Sequence, residues 1–436
     1  MLKHTFLAAA ILATMVPGIP ASAQADPIPP VQSAQNMQII GHSDLNGAGK
    51  GGEGLALHQY PDGRRVLFLA HEAEPMCVSI IDVTKPEDPT VIEQIPDPAP
   101  HLRCNSLGLS GTVMAVAHQS DKPGQDGAGM EVWSVTDPAH PRRISVFDTS
   151  GPHSRGVHYL WFVDGHYAYL STGARDFTPR NPLDDQFFMI VDLSDPEHPK
   201  ETGRWWLPGM RDGDQAPPPP RVSIDSGVRM HTPVVPPERP DRAYIGWIDG
   251  GWVILDISDK AHPKLVSRRS WQSQDVGFAH TVVPIPSRNL AIQSEEAVQA
   301  NCKDWPKRDW VWDISDERKP FVLAALAPGD IAALCKQGGR FGAHNIYQNQ
   351  PGPTAARLTR TVVGSFFNGG VRIYSILDAR APQEIGHLIE APPPGNATHS
   401  IQINDMYVDE HGLIYANDRL TGGLDIIRYS GSVPLE

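Results

Sequence analysis

FMIVDLSDPEHPKETGRW, residues 188–205, reads as an apolar extended run, an acidic turn closed by proline, and a second extended run. The same sentence recurs along the chain. VSIIDVTKPEDPTVIEQI (78–95), EVWSVTDPAHPRRISVF (131–147), WVILDISDKAHPKLVSR (252–268), WVWDISDERKPFVLAAL (310–326) and VRIYSILDARAPQEIGHL (371–388) share its order. The closing prolines, Pro89, Pro141, Pro199, Pro263, Pro320 and Pro382, are 52 to 64 residues apart. A period of that size built from strands implies propeller blades rather than a helical array.

Between these units the chain carries two further strands. His158 to Val163 leads into Asp164-Gly165, and His166 to Leu170 follows. Asp-Gly between apolar runs signals a hairpin. Each unit therefore holds four antiparallel strands, A to D. The last unit, Gly423 to Tyr429, has a C strand but little chain left for D. Gln38-Ile-Ile-Gly41-His42 matches Gln383-Glu-Ile-Gly386-His387 and supplies the missing strand from the N-terminal side. The expected fold is all-β: a seven-bladed β-propeller over 36–430, its last blade closed by the N-terminal strand. A flexible linker is expected over 24–35 and a short tail over 431–436.

Residues 1–23 read as a secretory signal peptide: Lys3 near the start, an apolar run from Phe6 to Val16, and Ala21-Ser22-Ala23 before the cleavage point. The mature chain is expected to be periplasmic or secreted, with no membrane span. A net charge of −13 argues against nucleic acid as a partner. The sequence leaves the oligomeric state open and is compatible with a monomer. No Gly-rich nucleotide loop and no Gly-x-Ser-x-Gly elbow is present, which sets aside nicotinamide-dependent dehydrogenases and α/β-hydrolases.

The strings Ser-Ile-Ile-Asp-Val (79–83), Met-Ile-Val-Asp-Leu (189–193) and Val-Ile-Leu-Asp-Ile (253–257) resemble the LVIVD-repeat family of exported β-propellers. That resemblance covers about residues 36–430 and implies the fold more than the function. A more distant similarity of layout links the chain to propellers of the selenium-binding protein and methanethiol oxidase type, which have histidine-rich sites.

The sequence holds 18 histidines. His140, His198 and His262 sit beside the turn prolines and are read as turn formers. Five others, His158, His231, His280, His344 and His399, fall at the start of strand A in five blades. Strand A lines the channel of a propeller, so these imidazoles are expected to converge at its mouth. Glu53 and the Cys104-Asn105 pair occupy the corresponding places in the first two blades. A divalent transition metal (Fe, Cu, Zn or Mn) suits such a set. A hydrogen-bonding role repeated by blade duplication is the competing reading.

The loops on the same face carry the remaining candidates. Glu295, Asp249 and Asp418 each follow strand B and are expected as catalytic or orienting carboxylates. Arg155, Arg175 and Arg229 are candidates for holding an anionic substrate group, with Trp205 as an apolar wall. Cys77, Cys104, Cys302 and Cys335 are expected to pair in order, Cys77–Cys104 and Cys302–Cys335, each joining neighbouring blades. A thiolate ligand at Cys104 is the alternative. Two functions remain open. One is a metalloenzyme acting on a small or medium organic substrate by oxidation, oxidative cleavage, or metal-assisted lyase or hydrolase chemistry. The other is a non-catalytic propeller that binds a protein or glycan.

Overall fold

The computed structural model describes residues 26–270, 277–305, 307–329, 331–393 and 395–436. The signal segment with His4 and the cleavage point, and Trp271, lie outside the described residues. Seven antiparallel sheets form the seven blades of a propeller. Blade 3 shows the pattern: strands A to D are Val157–Trp161, Tyr167–Thr172, Phe187–Asp192 and Lys200–Trp205, paired in that order.

Strands B and C are sandwiched between neighbouring blades, so they are apolar on both faces. Phe187 to Val191 are all buried, as are Val66 to His71 in blade 1. Each such side chain contributes about 1.5–3 kcal/mol of burial. The D strands lie outermost and alternate between exposed and covered positions. The C–D turns repeat one hydrogen-bonding device. His140, His198 and His262 each bond the aspartate three residues earlier at 2.9 Å, through Asp137, Asp195 and Asp259. These three histidines are exposed turn formers. The D strands also need glycine at one place. A Cβ on Gly203 would lie 2.1 Å from the carbonyl oxygen of Lys260, in the turn of the next blade, and one on Gly41 would lie 1.9 Å from that of Pro86.

The ring closes as the sequence suggests. Met37–Ser43 pairs antiparallel with Leu424–Tyr429, with Ile39 opposite Ile427 and Ser43 opposite Leu424. The linker expected over 24–35 is shorter than that reading. Val31–Gln35 is a strand that pairs with Gln383–Glu390 on the outer edge of blade 6. The chain end is also docked, since the Glu436 carbonyl accepts the amides of Arg360 and Thr361.

Both expected disulfides are present. Cys77–Cys104 ties blade 1 to blade 2, and Cys302–Cys335 ties a loop of blade 5 to the segment entering blade 6. Cys104 is therefore no thiolate ligand. Among the described residues no helix is long and apolar enough to cross a membrane.

Candidate metal centre

The site arises from a defect repeated in strand A. Where this strand begins, its pairing with strand B slips: between Gly51 and Leu55, between Val157 and Tyr159, between Ala279 and Val282, and between Ile403 and Asp405. A bulge of this kind re-aims the extra residue. The residues in these gaps include Glu53, His158, His280 and Asn404. Asn105, His231 and His344 complete a ring of seven, one per blade. Contacts run round it without a break. His158 and His231 share an Nε2–Nε2 hydrogen bond of 2.8 Å. The His231 and His280 rings are 3.8 Å apart, and those of His280 and His344 4.6 Å. His344 Nδ1 bonds the Asn404 carbonyl at 2.7 Å, and Asn404 Nδ2 donates to the Gly51 carbonyl. The Glu53 amide donates to the Asn105 carbonyl, and Asn105 Nδ2 to that of His158.

Four of the five expected histidines thus converge. His399 does not: it is exposed in the loop before strand A of blade 7, and Asn404 holds its place in the ring. Glu53 takes up a site role that the sequence reading did not give it. Its carboxylate lies 3.3 Å from His280 Nε2 and 3.6 Å from His344 Nε2. Glu296 adds a second carboxylate, 3.9 Å from His344 Nε2. Two overlapping sets, Glu53 with His231 and His280, and His280 with Glu296 and His344, place all their ligand atoms within 4.8 Å of one another.

The outer partners fix which nitrogen faces inward. Gln119 Oε1 accepts from Arg103 Nε and Nη2, so it is the oxygen end of that amide. His158 Nδ1, 2.9 Å from it, must donate. His344 Nδ1 must likewise donate to a carbonyl. Both rings therefore present an unprotonated Nε2 to the centre. His231 and His280 rest their Nδ1 atoms on the hydroxyls of Thr232 and Thr281. Burial lowers the pKa of His158, His231 and His344. Burial pushes the Glu53 carboxyl up, but the adjacent His231 and His280 outweigh it and hold it well below the usual range. Glu53 Oε2, His280 Nε2 and His344 Nε2 are all buried without a hydrogen-bond partner. Buried nitrogen and oxygen atoms that converge without hydrogen-bond partners fit a cation held among them. The donor set of imidazoles and carboxylates fits a first-row transition metal.

Aromatic and cationic groups surround the ring. Phe367 stacks on His344 at 4.5 Å, and Phe278 lies 5.9 Å from His231. Phe367 has φ 48° and Phe278 φ 63°, values strained for bulky side chains. Arg340 and Arg419 stand over the Phe367 ring at 5.5 and 5.6 Å. A cavity of about 510 Å³ is lined by Arg103, Gln119, Arg155, Glu72 and Lys50 among others, and Gln119 separates it from His158.

The other expected site residues lie as follows. Asp418 is saturated by the amides of Gln402, Leu420 and Gly422 and shapes its own turn. Asp249 accepts the amides of Ser226 and Gly227, and burial pushes its pKa up to about 6. Glu295 points away from the ring toward the Arg308 amide, and burial pushes it up to about 8. None of these three hydrogen-bonds a ring histidine. Arg155 forks onto Asp185, and Arg229 donates to Gln186 and to the Ser226 carbonyl. Arg175 is exposed. Trp205 packs edge-on against the buried Trp247 and is structural.

Two segments, 184–205 and 241–269, match the LVIVD repeat. Among curated proteins none matches the sequence. Solved structures share the fold at low identity. The Cps50 (Swd1) β-propeller domain of Myceliophteria thermophila superposes with a TM-score of 0.55 at 13% identity, over 90% of this chain and 99% of that one. A hypothetical selenium-binding protein from Sulfolobus tokodaii does so with a TM-score of 0.52 at 10% identity, over 83% and 88%. U3-55K gives 0.53 at 11%, over 91% and 99%.

Proposed function

We propose that this chain is an exported metalloenzyme whose transition-metal centre, at the mouth of the propeller channel, acts on a small organic substrate. The carrying observation is the set of inward-facing, partnerless ligand atoms: Nε2 of His280 and His344 with Oε2 of Glu53. His280, His344 and Glu53 would hold the ion, with Glu296 beside His344 and the hydrogen-bonded His158–His231 pair at its border. A bound iron or copper ion supplies oxidative chemistry, and zinc or manganese supplies Lewis-acid chemistry. Gln119, Thr232, Thr281 and the Asn404 carbonyl orient the imidazoles from outside. The acid–base work expected of Glu295, Asp249 and Asp418 passes to Glu296, whose carboxylate borders His344 and is held by Arg340 at 2.7 Å. Phe367 and Phe278 exclude water from two sides of the ring, and the cavity across Gln119 from His158 admits substrate. The apolar N-terminal segment and the two disulfides support export to an oxidising compartment.

The test is reconstitution. Chelator-stripped protein is dialysed separately against iron, copper, zinc and manganese, and each form is screened for oxygen uptake and for hydrolysis or elimination. Turnover by one loaded form, absent from the stripped protein and from Glu53→Gln, supports the reading. A folded protein that retains none of the four ions favours the non-catalytic binding propeller.

A further inference from the structure

We propose that the channel mouth selects oxyanionic substrates, small organic acids above all, through a collar of arginines set around the histidine ring. This rests on reading the ring as the reactive centre. Five guanidiniums reach it from five blades or their loops. Arg103 Nη2 lies 3.4 Å from His158 Nδ1. Arg340 bonds Glu296, and both Arg340 and Arg419 stand on Phe367, the ring stacked on His344. Arg155 lines one cavity with Arg103 and Gln119, the partner of His158, and Arg229 stands two residues before His231.

The carboxylates do not balance them. Glu72 is shared by Arg103 and Arg419, Asp185 serves Arg155, and Glu296 serves Arg340. Five guanidiniums face these three carboxylates, and counting Glu53 of the ring still leaves one cation in surplus. The chain as a whole carries −13, so this local excess runs against its composition. Two arginines also keep free donors. Arg229 has no carboxylate partner among the described residues, only the Gln186 amide oxygen and a backbone carbonyl. Arg419 Nη1 is buried without a hydrogen-bond partner. A buried guanidinium with spare N–H groups is the fitting receptor for a carboxylate or phosphate, which takes paired hydrogen bonds from its planar fork. A cavity of about 510 Å³, lined by Arg103 and Arg155 together with Lys50, Glu72, Glu74 and Asp121, has the size of a small-molecule site.

The experiment uses the full mature chain, metal-loaded and, in parallel, chelator-stripped, with metal content measured on every sample. Binding of benzoate, inorganic phosphate and the neutral analogue benzamide is followed by calorimetry. The expected result is that benzoate binds at least tenfold tighter than benzamide, and that added salt weakens it. Arg229→Met lowers the benzoate affinity at least tenfold, Arg229→Lys restores part of it, and Arg175→Met leaves it unchanged. Tighter binding of phosphate than benzoate keeps the oxyanion collar and overturns the preference for organic acids. Benzoate binding that is unaltered in Arg229→Met and in Arg419→Met overturns the proposal, because the anion then sits on the metal alone. Equal binding of benzoate and benzamide also overturns it. Arg229-dependent benzoate binding by protein that takes up no metal upholds the collar while the metal reading fails.

Discussion

Removing the closing strand should cost most of the stability of the propeller. Met37, Ile39 and Ile40 are 7%, 2% and 7% exposed in the native ring. At about 1.5–3 kcal/mol for each buried side chain, their loss costs roughly 5–9 kcal/mol. Leu424, Ile426 and Ile427 on the partner strand, all fully buried, would be uncovered as well. A domain usually has only about 5–15 kcal/mol to lose. The comparison is among three chains, starting at residues 26, 36 and 44. The second lacks residues 26–35, whose side chains are all exposed or half-buried, and should lose no more than about 1–2 kcal/mol. The third should be unfolded or close to it. Guanidinium denaturation followed by tryptophan fluorescence reads all three, with the midpoint and slope fitted together. A chain starting at residue 44 that unfolds cooperatively, within about 1 kcal/mol of the longest chain, would refute the closure argument.

Three further outcomes follow from the same geometry. Thr281→Val removes the hydroxyl that holds His280 Nδ1 and should weaken metal binding about 10–100-fold in a chelator competition, with the fold intact. Replacing Cys77 and Cys104 together by serine opens a cross-link spanning 27 residues and should lower unfolding free energy by about 3–4 kcal/mol in the same denaturation assay. Glu390 and Asp425 are buried together at the closing seam, and burial holds both carboxyls above their ordinary range, with Asp425 adding to the rise of Glu390. The folded chain then keeps protons that the unfolded chain releases above about pH 4, so stability falls as pH rises from there. Glu390→Gln should therefore raise the melting temperature at pH 8 and leave it nearly unchanged at pH 4.

The blades were legible because each repeats an apolar run, an Asp-Pro turn and a second run, and such local patterns survive without knowledge of the partners. The closing strand was legible for the same reason, since Gln38 to His42 copies Gln383 to His387. Val31–Gln35 was not, because VQSAQ has almost no apolar alternation and lies on an outer edge. Four ring histidines were found from their place before strand A. His399 misled because Thr398-His399-Ser resembles Ala279-His280-Thr, although strand A of blade 7 starts only at Ile403. Counting back from Asp409 and Gly412 by the six and seven residues that separate His158 from Asp164 and Gly165 lands on Ile403 and Asp405, which flank Asn404, and not on His399. The carboxylates failed for a different reason. Successive residues of a strand face opposite ways, so choosing Glu295 over Glu296 chose the wrong face. Asp418 ends its strand and Asp249 lies in the turn after one, where backbone amides compete for a carboxylate, and no sequence pattern reports that competition. Glu53 was visible as a break in the histidine series. Its meaning came only with the bulge that turns it inward.

The central claim is that the ring holds a metal ion. Its most direct test is elemental analysis of the purified mature chain after exposure to a mixture of iron, copper, zinc and manganese, beside the His280→Ala/His344→Ala double variant. The expected result is at least one ion per wild-type chain, and loss of that ion in the double variant with circular dichroism unchanged. A folded wild-type chain with no stoichiometric metal, or a double variant that keeps the same metal content, would contradict the account.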